Sequence, residues 1–212
     1  MNSVTITGLG REWAWSAIDT KCRKVIFDMA ADLEAVYKYC TRFDFAIQAG
    51  GNFGVWPAVL AKKFKFVSTF EPDPECFELM KQNLKDVKNV TGLNFALMDR
   101  PCTLSMANET LANRGAQWTR PDPRGTIQGI KLDSLTPKGC DLLCLDIEGA
   151  ELKALQGAAE TIGKYRPTIV IEDKGLSERF GTAKGHAERW LNENFSYTVA
   201  ERIHRDVILT CA

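Results

Sequence analysis

The chain has 212 residues, of which 45% are hydrophobic and 25% charged, values typical of a globular protein with one α/β domain at this length. Lysine and arginine together number 27, as do aspartate and glutamate. This balance argues against a generally basic nucleic-acid binder, and we expect no obvious nucleic-acid partner. No apolar run approaches the roughly 20 residues that span a bilayer, and the amino terminus lacks a secretory signal pattern. We therefore expect a soluble, cytoplasmic protein without a membrane partner.

The seven cysteines are odd in number and scattered along the chain. Such a pattern is typical of reduced thiols and not of a disulfide framework. Cys140 and Cys144 flank residues with a strand pattern, which would place their Cα atoms about 13 Å apart. We therefore expect no zinc site between them.

From residue 43 onward, short apolar runs alternate with helical patterns, which is typical of repeated βα units and a parallel sheet. Each run is short enough for a buried strand and is bounded by Gly, Pro, Asp or Asn. The five predicted strands cover residues 43–49, 65–70, 90–95, 142–147 and 168–171. Residues 197–203 and 207–210 are separated by only three residues and predict an antiparallel hairpin that closes the sheet. The sequence thus predicts an α/β fold with a doubly wound sheet.

Two helices are well marked between these strands. One begins after Asp73, which can cap it, and has Pro74 in its first turn, where proline is tolerated. The other begins near Ala150, has apolar residues three and four apart, and is predicted to stop at Gly163. Both helices fit crossovers between parallel strands.

Two segments have a less regular pattern. Residues 1–42 contain one predicted helix, over residues 29–40, which follows two tryptophans, Trp13 and Trp15, that the pattern does not place. Residues 100–125 are rich in Pro, Gly, Asn and Arg. A long irregular insertion in a compact domain is usually either functional or disordered, and we expect a substrate loop here.

A glycine-rich turn, Gly50-Gly51-Asn52-Phe53-Gly54, follows the first predicted strand and opens a helix. Glycines there let a ligand approach the backbone, and a helix start offers unpaired amide donors. Glu71 lies 21 residues after Gly50 at the end of the next strand, where doubly wound folds place the carboxylate that binds ribose hydroxyls. Together the turn and Glu71 indicate a cofactor that contains adenosine.

The same turn bears on which cofactor binds. NAD carries a pyrophosphate, which favours a complete G-x-G-x-x-G cradle, and the turn does not match that pattern. S-adenosylmethionine instead presents an ammonium and a carboxylate, for which Gln48 and Asn52 offer polar groups. The residues favour S-adenosylmethionine and leave NAD open.

The motifs, in order, resemble those of one family. They are Gln48 to Gly54, Phe70-Glu71-Pro72-Asp73-Pro74, Asn94-Phe95-Ala96-Leu97, Lys131 to Leu135, Leu145-Asp146-Ile147-Glu148-Gly149-Ala150-Glu151, and Arg166-Pro167 to Glu172. From about residue 43 to 173, their order and spacing are similar to the FkbM-type family of S-adenosylmethionine-dependent methyltransferases. The resemblance implies a Rossmann-like class I methyltransferase fold with the sheet order 3-2-1-4-5-7-6. It makes residues 43–212 the methyltransferase domain, preceded by an N-terminal helical extension, residues 1–42.

The resemblance also implies roles for single residues at the cofactor. Gly50, Asn52 and Gly54 would shape the methionine end, Glu71 would bind the ribose, and Asn94 and Phe95 would line the adenine. Gln48 stands where the family usually has an aspartate. Its amide oxygen can accept a hydrogen bond from the cofactor's ammonium but brings no charge.

Acidic residues follow the fourth and fifth predicted strands. Asp146 and Glu148 are two apart, so their side chains should face the same way, about 6.6 Å apart along a strand. A carboxylate can accept the proton that a hydroxyl loses during methyl transfer, and we expect Asp146, Glu148 and Glu172 to be catalytic. Alternatively, Asp146, Glu148 and Glu151 only cap and charge the start of the helix. Asp146, Glu172 and Asp173 would also suit an all-oxygen Mg²⁺ site, which the sequence allows but does not favour.

The sequence therefore predicts an S-adenosylmethionine-dependent methyltransferase that acts on an oxygen of a small molecule or a sugar. Two alternatives stay open. One is an NAD-dependent oxidoreductase, and the other is a non-catalytic protein that binds S-adenosylmethionine or a nucleotide, which Gln48 and the unusual amino terminus suggest. No pattern predicts the identity of the acceptor or the oligomeric state.

Overall fold

The computed structural model describes residues 3–211, apart from the side chains of Lys24 and Ala31. In chain order the strands are β1 (Ser3–Gly8), β2 (Arg11–Ser16), β3 (Phe45–Ala49), β4 (Phe66–Phe70), β5 (Val90–Leu93), β6 (Ala96–Leu97), β7 (Cys102–Ala107), β8 (Trp118–Pro121), β9 (Ile127–Ile130), β10 (Leu142–Leu145), β11 (Thr168–Glu172), β12 (Tyr197–Ile203) and β13 (Asp206–Cys211). The helices are α1 (Cys22–Tyr37), α2 (Val55–Leu60), α3 (Pro74–Leu84), α4 (Glu151–Gln156), α5 (Ala159–Tyr165) and α6 (His186–Phe195). Short 3₁₀ turns cover Arg114–Ala116, Leu132–Leu135 and Leu176–Phe180.

The central sheet has seven strands in the order β12-β13-β11-β10-β3-β4-β5. Counted within this sheet from the β5 edge, this is the order 3-2-1-4-5-7-6, so the predicted Rossmann-like fold is confirmed. Strands β3, β4, β5, β10 and β11 run parallel. Strand β13 pairs antiparallel with β11 and with β12, which confirms the predicted hairpin. The carboxyl ends of the parallel strands meet at one edge, where open α/β sheets bind their ligands.

Strand β10 shows how the core is divided between the two faces of the sheet. All four of its residues are buried. Leu142 and Cys144 belong to one apolar cluster, and Leu143 and Leu145 belong to the other. Each fully buried leucine contributes about 1.5–3 kcal/mol to stability, and burial on both faces is typical of parallel strands covered by helices.

One predicted helix is confirmed and the other is divided. Helix α3 begins as expected, because the Asp73 carboxylate accepts a hydrogen bond of 2.8 Å from the amide of Cys76. The prediction of one continuous helix from Ala150 to Gly163 is wrong, because the chain breaks into α4 and α5 at Gly157. A Cβ at Gly157 would lie 1.9 Å from the carbonyl oxygen of Met98, so the chain passes too close to this backbone for a larger residue. Helix α5 continues past Gly163 and ends at Tyr165, and the next residue, Arg166, has φ 50°.

The amino-terminal segment contains a β-hairpin as well as a helix. Strands β1 and β2 pair antiparallel, and α1 begins seven residues before the predicted start at residue 29. Trp13 and Trp15, which the sequence pattern did not place, are both buried. The Trp15 ring lies 4.3 Å from the Phe53 ring, centroid to centroid. The hairpin therefore packs on the glycine-rich turn. The domain boundary after residue 42 stays a prediction.

Residues 100–125 contain two β-strands, β7 and β8, so the prediction of one long irregular loop is wrong. Strands β7 and β8 pair antiparallel, and β7 also pairs with β9. Together with β6 they form a second sheet in the order β6-β9-β7-β8. Leu104 in the middle of β7 is completely buried, which anchors this sheet. The longest stretch outside the strands is the segment between β7 and β8, residues 108–117, which includes the 3₁₀ turn Arg114–Ala116.

Two further properties concern the whole described chain. Within residues 3–211, no helix has the length and apolar character needed to cross a membrane. The seven cysteines are free thiols, as their odd number and spacing predicted.

Candidate active site

A cavity of about 420 Å³ opens at the carboxyl edge of the central sheet. Its floor consists of the residues that follow β3, β4, β10 and β11, and residues of α1 and of the segment 109–119 cover it. The volume lies in the range of small-molecule sites. The fold therefore brings the predicted cofactor turn and the predicted catalytic acids to a single cavity.

Gly50 makes the closest approach in the floor of this cavity. It has φ 89°, a left-handed conformation that glycine adopts without strain. A Cβ at Gly50 would lie 1.9 Å from the carbonyl oxygen of Asp146. The amides of Gly50 and Gly51 both donate hydrogen bonds to the carbonyl oxygen of Phe70, at 3.0 and 2.9 Å. The turn is thus fixed between β4 and β10 by its own backbone.

Gly54 lies outside the cavity lining. It has φ 90° and precedes α2, and a Cβ there would lie 3.1–3.3 Å from Leu84 and Met80 of α3. Gly54 therefore lets α2 begin close to α3. Gly54 would therefore affect the methionine end of the cofactor only indirectly, through the conformation of the turn. This role of Gly54 stays a prediction.

Asn52 and Glu71 join the first turn to the end of β4. Both residues line the cavity. The two carboxylate oxygens of Glu71 accept hydrogen bonds from the amides of Asn52, at 2.7 Å, and Asp73, at 2.8 Å. Burial raises the pKa of Glu71 to about 7, although these two amide bonds lower it. Because each carboxylate oxygen has two lone pairs, Glu71 keeps acceptor capacity for a ligand.

Gln48 is buried and does not line the cavity. Its amide nitrogen donates to the carbonyl oxygen of Ala49 at 3.1 Å, and its amide oxygen accepts a short hydrogen bond from the hydroxyl of Thr69. Both ends of the side chain are therefore engaged inside the sheet. A contact between Gln48 and the cofactor's ammonium stays a prediction and requires this amide to leave Thr69.

The two residues predicted to line the adenine have different positions. Phe95 lines the cavity beside Ala96 and Leu97. Asn94 does not, because its side-chain amide donates to the carbonyl oxygens of Glu71, at 2.7 Å, and Pro72, at 3.1 Å. Asn94 therefore fixes the backbone that carries Glu71, while Phe95 offers an aromatic surface.

The three predicted catalytic acids come together, but not in the predicted way. Strand β10 ends at Leu145, and the chain then turns with φ 58° at Glu148 and φ 111° at Gly149. The expected strand spacing of Asp146 and Glu148 is therefore wrong. The turn instead directs carboxylate oxygens of Asp146, Glu148 and Glu172 to within 4.8 Å of one another.

Glu151 stabilises this turn instead of joining the acids. Its carboxylate accepts hydrogen bonds of 3.2 Å from the amides of Ile147 and Gly149, and it does not line the cavity. Asp173, which the sequence offered as a metal ligand, also lies outside the three-acid group. That group is composed of the chemical type of ligand that Mg²⁺ takes.

Two cations that the sequence analysis missed compensate these acids. The Lys174 ammonium lies 2.7 Å from Glu148 Oε1 and 2.7 Å from Glu172 Oε2. An Arg179 guanidinium nitrogen lies 3.7 Å from Glu148 Oε2, and its carbon lies 3.9 Å from the centre of the Trp118 ring. A signal for Lys174 was present, because it follows Glu172 by two residues beyond a predicted strand.

The electrostatic environment raises the pKa values of Asp146 and Glu148. Burial raises the pKa of Asp146 well above its usual range, and the charges of Glu172 and Glu148 raise it further. Burial also raises the pKa of Glu148, while Lys174 opposes this shift. Carboxyl groups with raised pKa values are suited to exchange protons with a bound ligand near neutral pH.

Arg114 and Gln117 connect the covering segment to the floor, and the sequence analysis missed both. The amide of Arg114 donates to the Asp19 carboxylate at 2.8 Å, and its guanidinium pairs with Asp73 and Glu75 of the α3 start. Gln117 lines the cavity, and its buried amide oxygen has no hydrogen-bond partner among the described residues. The covering segment, residues 109–119, is thus held in place, and the Gln117 amide oxygen lies at the cavity without a hydrogen-bond partner among the described residues.

Residues 48–199 match the family model described as the methyltransferase FkbM domain. Methyltransferase sdnD of Sordaria araneosa is 25% identical, over 74% of this chain and 81% of its own.

The solved structures that share the fold include two methyltransferases. The crystal structure of methyltransferase FkbM from Methylobacillus flagellatus KT has a TM-score of 0.59 and 18% identity, over 79% of this chain and 43% of that one. The chain therefore spans less than half the length of that protein. The Pyrococcus abyssi tRNA (uracil-54, C5)-methyltransferase, in complex with S-adenosyl-L-homocysteine, has a TM-score of 0.52 and 10% identity, over 98% and 43% of the two chains.

Proposed function

The chain belongs to the FkbM family of methyltransferases, whose model covers residues 48–199 of its 212 residues, and we propose that it transfers a methyl group from S-adenosylmethionine to a hydroxyl oxygen of a small-molecule or sugar acceptor. One observation carries this proposal. The cavity that contains the glycine turn and Glu71 also contains Asp146, Glu148 and Glu172. Cofactor and proton acceptor would therefore face each other across one cavity.

The residues of the first half of the cavity fit the cofactor. Glu71 keeps lone pairs for the two ribose hydroxyls, as carboxylates do at this position of doubly wound folds. Gly50 and Asn52 expose backbone next to the start of α2, where the methionine end of the cofactor would lie. Phe95 offers an apolar wall for the adenine. The unused amide oxygen of Gln117 would accept a hydrogen bond from a ligand donor.

The residues of the second half would manage the proton. When bound, S-adenosylmethionine supplies an electrophilic methyl group on a positively charged sulfur. Asp146 would accept the proton that the acceptor hydroxyl loses when the methyl group is transferred to the hydroxyl oxygen. The raised pKa of Asp146 makes it a stronger base than an exposed aspartate. Glu148 and Glu172 would orient the hydroxyl.

Calorimetry with purified protein tests the cofactor assignment. We expect S-adenosylmethionine and S-adenosylhomocysteine to bind and NAD to bind more weakly, and each bound ligand should raise the melting temperature by mass action. Tighter binding of NAD would overturn the assignment in favour of an oxidoreductase. The acceptor class is tested by measuring release of S-adenosylhomocysteine with alcohols, sugars, amines and RNA. Turnover with RNA or amines only would contradict the hydroxyl proposal.

A second candidate is a non-catalytic protein that binds the cofactor. The observation that favours it is the Gln48 side chain, which is engaged by Thr69 and Ala49 and brings no charge to the cofactor. Release of S-adenosylhomocysteine in the acceptor screen separates the two candidates, and Gln48→Asp tests whether this position contacts the cofactor. If Gln48 reaches the cofactor's ammonium in the complex, Gln48→Asp should tighten S-adenosylmethionine binding, and weaker binding would mean that this position serves only the sheet.

A further inference from the structure

The three acids of the cavity need a cation. Carboxylate oxygens of Asp146, Glu148 and Glu172 lie within 4.8 Å of one another, and like charges this close oppose each other's ionisation. The Glu148 and Glu172 side chains are 6% and 4% exposed, so water screens their charges poorly. Either a bound cation or a side chain of this chain must offset the charge for the acids to function as carboxylates.

Lys174 makes the direct contacts that such a cation would make. Its ammonium lies 2.7 Å from one oxygen of Glu148 and 2.7 Å from one of Glu172. Arg179 is more distant, at 3.7 Å from the other oxygen of Glu148. An ammonium has three N–H donors, so these two contacts leave one donor of Lys174 for a further group.

Asp146 is the member of the cluster that Lys174 does not hold. No side-chain hydrogen bond restrains its carboxylate in the described part of the chain, whereas Glu148 accepts one from Lys174. Asp146 also lines the cavity. Fixing the two neighbouring acids therefore leaves one carboxylate free to face an acceptor.

We propose that Lys174 is the built-in cation of this cluster, that it occupies the place a divalent metal ion would otherwise take, and that it positions Glu148 and Glu172 beside Asp146. The effect of Lys174 on turnover rests on the proposed function, whereas its role as the cation of the three acids does not. Lys174 is a positioning residue, because it acts on the acceptor through the two glutamates. Burial works to lower the pKa of Lys174, but the surrounding acids raise it above its ordinary value, which keeps the ammonium charged at neutral pH.

Binding of Mn²⁺ alone to the apo protein tests this inference without any acceptor. Mn²⁺ prefers oxygen ligands and its free concentration is measured by electron paramagnetic resonance. We expect Lys174→Gln to bind Mn²⁺ at least about 10-fold more tightly than wild type, because removal of the ammonium leaves the acids uncompensated. Lys174→Arg keeps a cation and should not gain affinity. Lys88→Gln, at an exposed lysine, is the matched control and should behave as wild type.

Two results would overturn the inference. One is a folded Lys174→Gln that gains no Mn²⁺ affinity. The other is wild-type protein that binds Mn²⁺ stoichiometrically and loses this binding in Asp146→Asn, which would make the cluster a metal site with Lys174 displaced. This second result needs only wild type and Asp146→Asn, so the test holds even if Lys174→Gln does not fold.

Kinetics with any acceptor found in the screen test the positioning role. We expect Lys174→Gln to lower kcat by about 10-fold with the KM for S-adenosylmethionine unchanged, and we expect Lys174→Arg to restore most of kcat. Added Mn²⁺ should partly rescue Lys174→Gln, a result that a merely structural lysine would not produce. If wild-type protein does not bind S-adenosylmethionine, the proposed function is contradicted, but the Mn²⁺ measurement still tests the role of Lys174 as the cation.

Discussion

The two halves of the cavity are held by different forces. The cofactor half, Gly50, Asn52 and Glu71, is fixed by backbone amides that bind the Phe70 carbonyl oxygen and the Glu71 carboxylate. The acidic half, Asp146, Glu148, Glu172 and Lys174, is fixed by side-chain charges. The turn has no room for a side chain at Gly50, where a Cβ would lie 1.9 Å from the carbonyl oxygen of Asp146, whereas a charge cluster can be altered one group at a time. Substitutions in the first half should therefore affect folding and binding, and those in the second half should affect turnover.

The largest effect is expected from Gly50→Ala. Its Cβ would overlap the Asp146 carbonyl oxygen, and φ is 89°, so we expect a loss of more than about 3 kcal/mol in the free energy of unfolding. Denaturant titration measures it. Gly181→Ala is the matched control, because Gly181 has φ 73° and no atom within 4 Å of a Cβ, and strain alone should cost about 1–2 kcal/mol. Equal losses in the two variants would contradict the close approach of the two halves.

Asp146→Asn should separate catalysis from binding. We expect the fold and the affinity for S-adenosylhomocysteine to be kept while kcat falls about 10²-fold or more, because the amide cannot accept the hydroxyl proton. Single-turnover kinetics with a confirmed acceptor measure this. Unchanged turnover would make Asp146 a structural acid. A matching loss of cofactor affinity would move it into the cofactor half.

Glu71→Ala should weaken binding of S-adenosylhomocysteine by about 1–3 kcal/mol, the range for losing a hydrogen bond to a charged group. Titration calorimetry measures the change. Glu78→Ala provides the control, because Glu78 is an exposed acid of α3 that pairs with Lys81 and lies away from the cavity. Unchanged affinity in Glu71→Ala would remove the ribose assignment.

The smallest effect is expected in the pH dependence of stability. The pKa of Glu71 rises from 4.5 to about 7 on folding, so the folded state retains a proton that the unfolded state releases between these values. The contribution of Glu71 to the free energy of unfolding is therefore greatest below about pH 4.5 and is lost as pH rises towards about 7. Glu71→Gln should flatten this part of the stability curve. If the free energy of unfolding of Glu71→Gln instead fell more steeply as pH rises, the raised pKa of Glu71 would be contradicted.

Patterns local in sequence predicted the fold well. Apolar runs bounded by breakers located the strands, and Asp73 with Pro74 located the start of α3. The second sheet was not predicted because its strands are short and partly exposed, which gives a weak strand pattern. The Pro, Gly and Asn content of residues 100–125 is instead typical of a loop. The break at Gly157 depends on the approach of Met98, a contact between distant residues that periodicity does not register.

The site was predicted in outline but not in its internal connections. Sequence placed Gly50, Glu71 and Asp146 at the edge where they do line the cavity. It could not show that Asn94 binds the backbone near Glu71, because that contact spans 23 residues. The partners of Glu148 were likewise hidden, since Lys174 and Arg179 approach it only once β10 and β11 are paired.

A crystal structure of the complex with S-adenosylhomocysteine tests most directly whether the two halves form one active site. We expect the ribose hydroxyls on the Glu71 carboxylate, the adenine beside Phe95, and the sulfur facing the open space in front of Asp146. Density for the ligand outside this cavity, or a sulfur directed away from Asp146, would contradict the assignment of the cavity to methyl transfer.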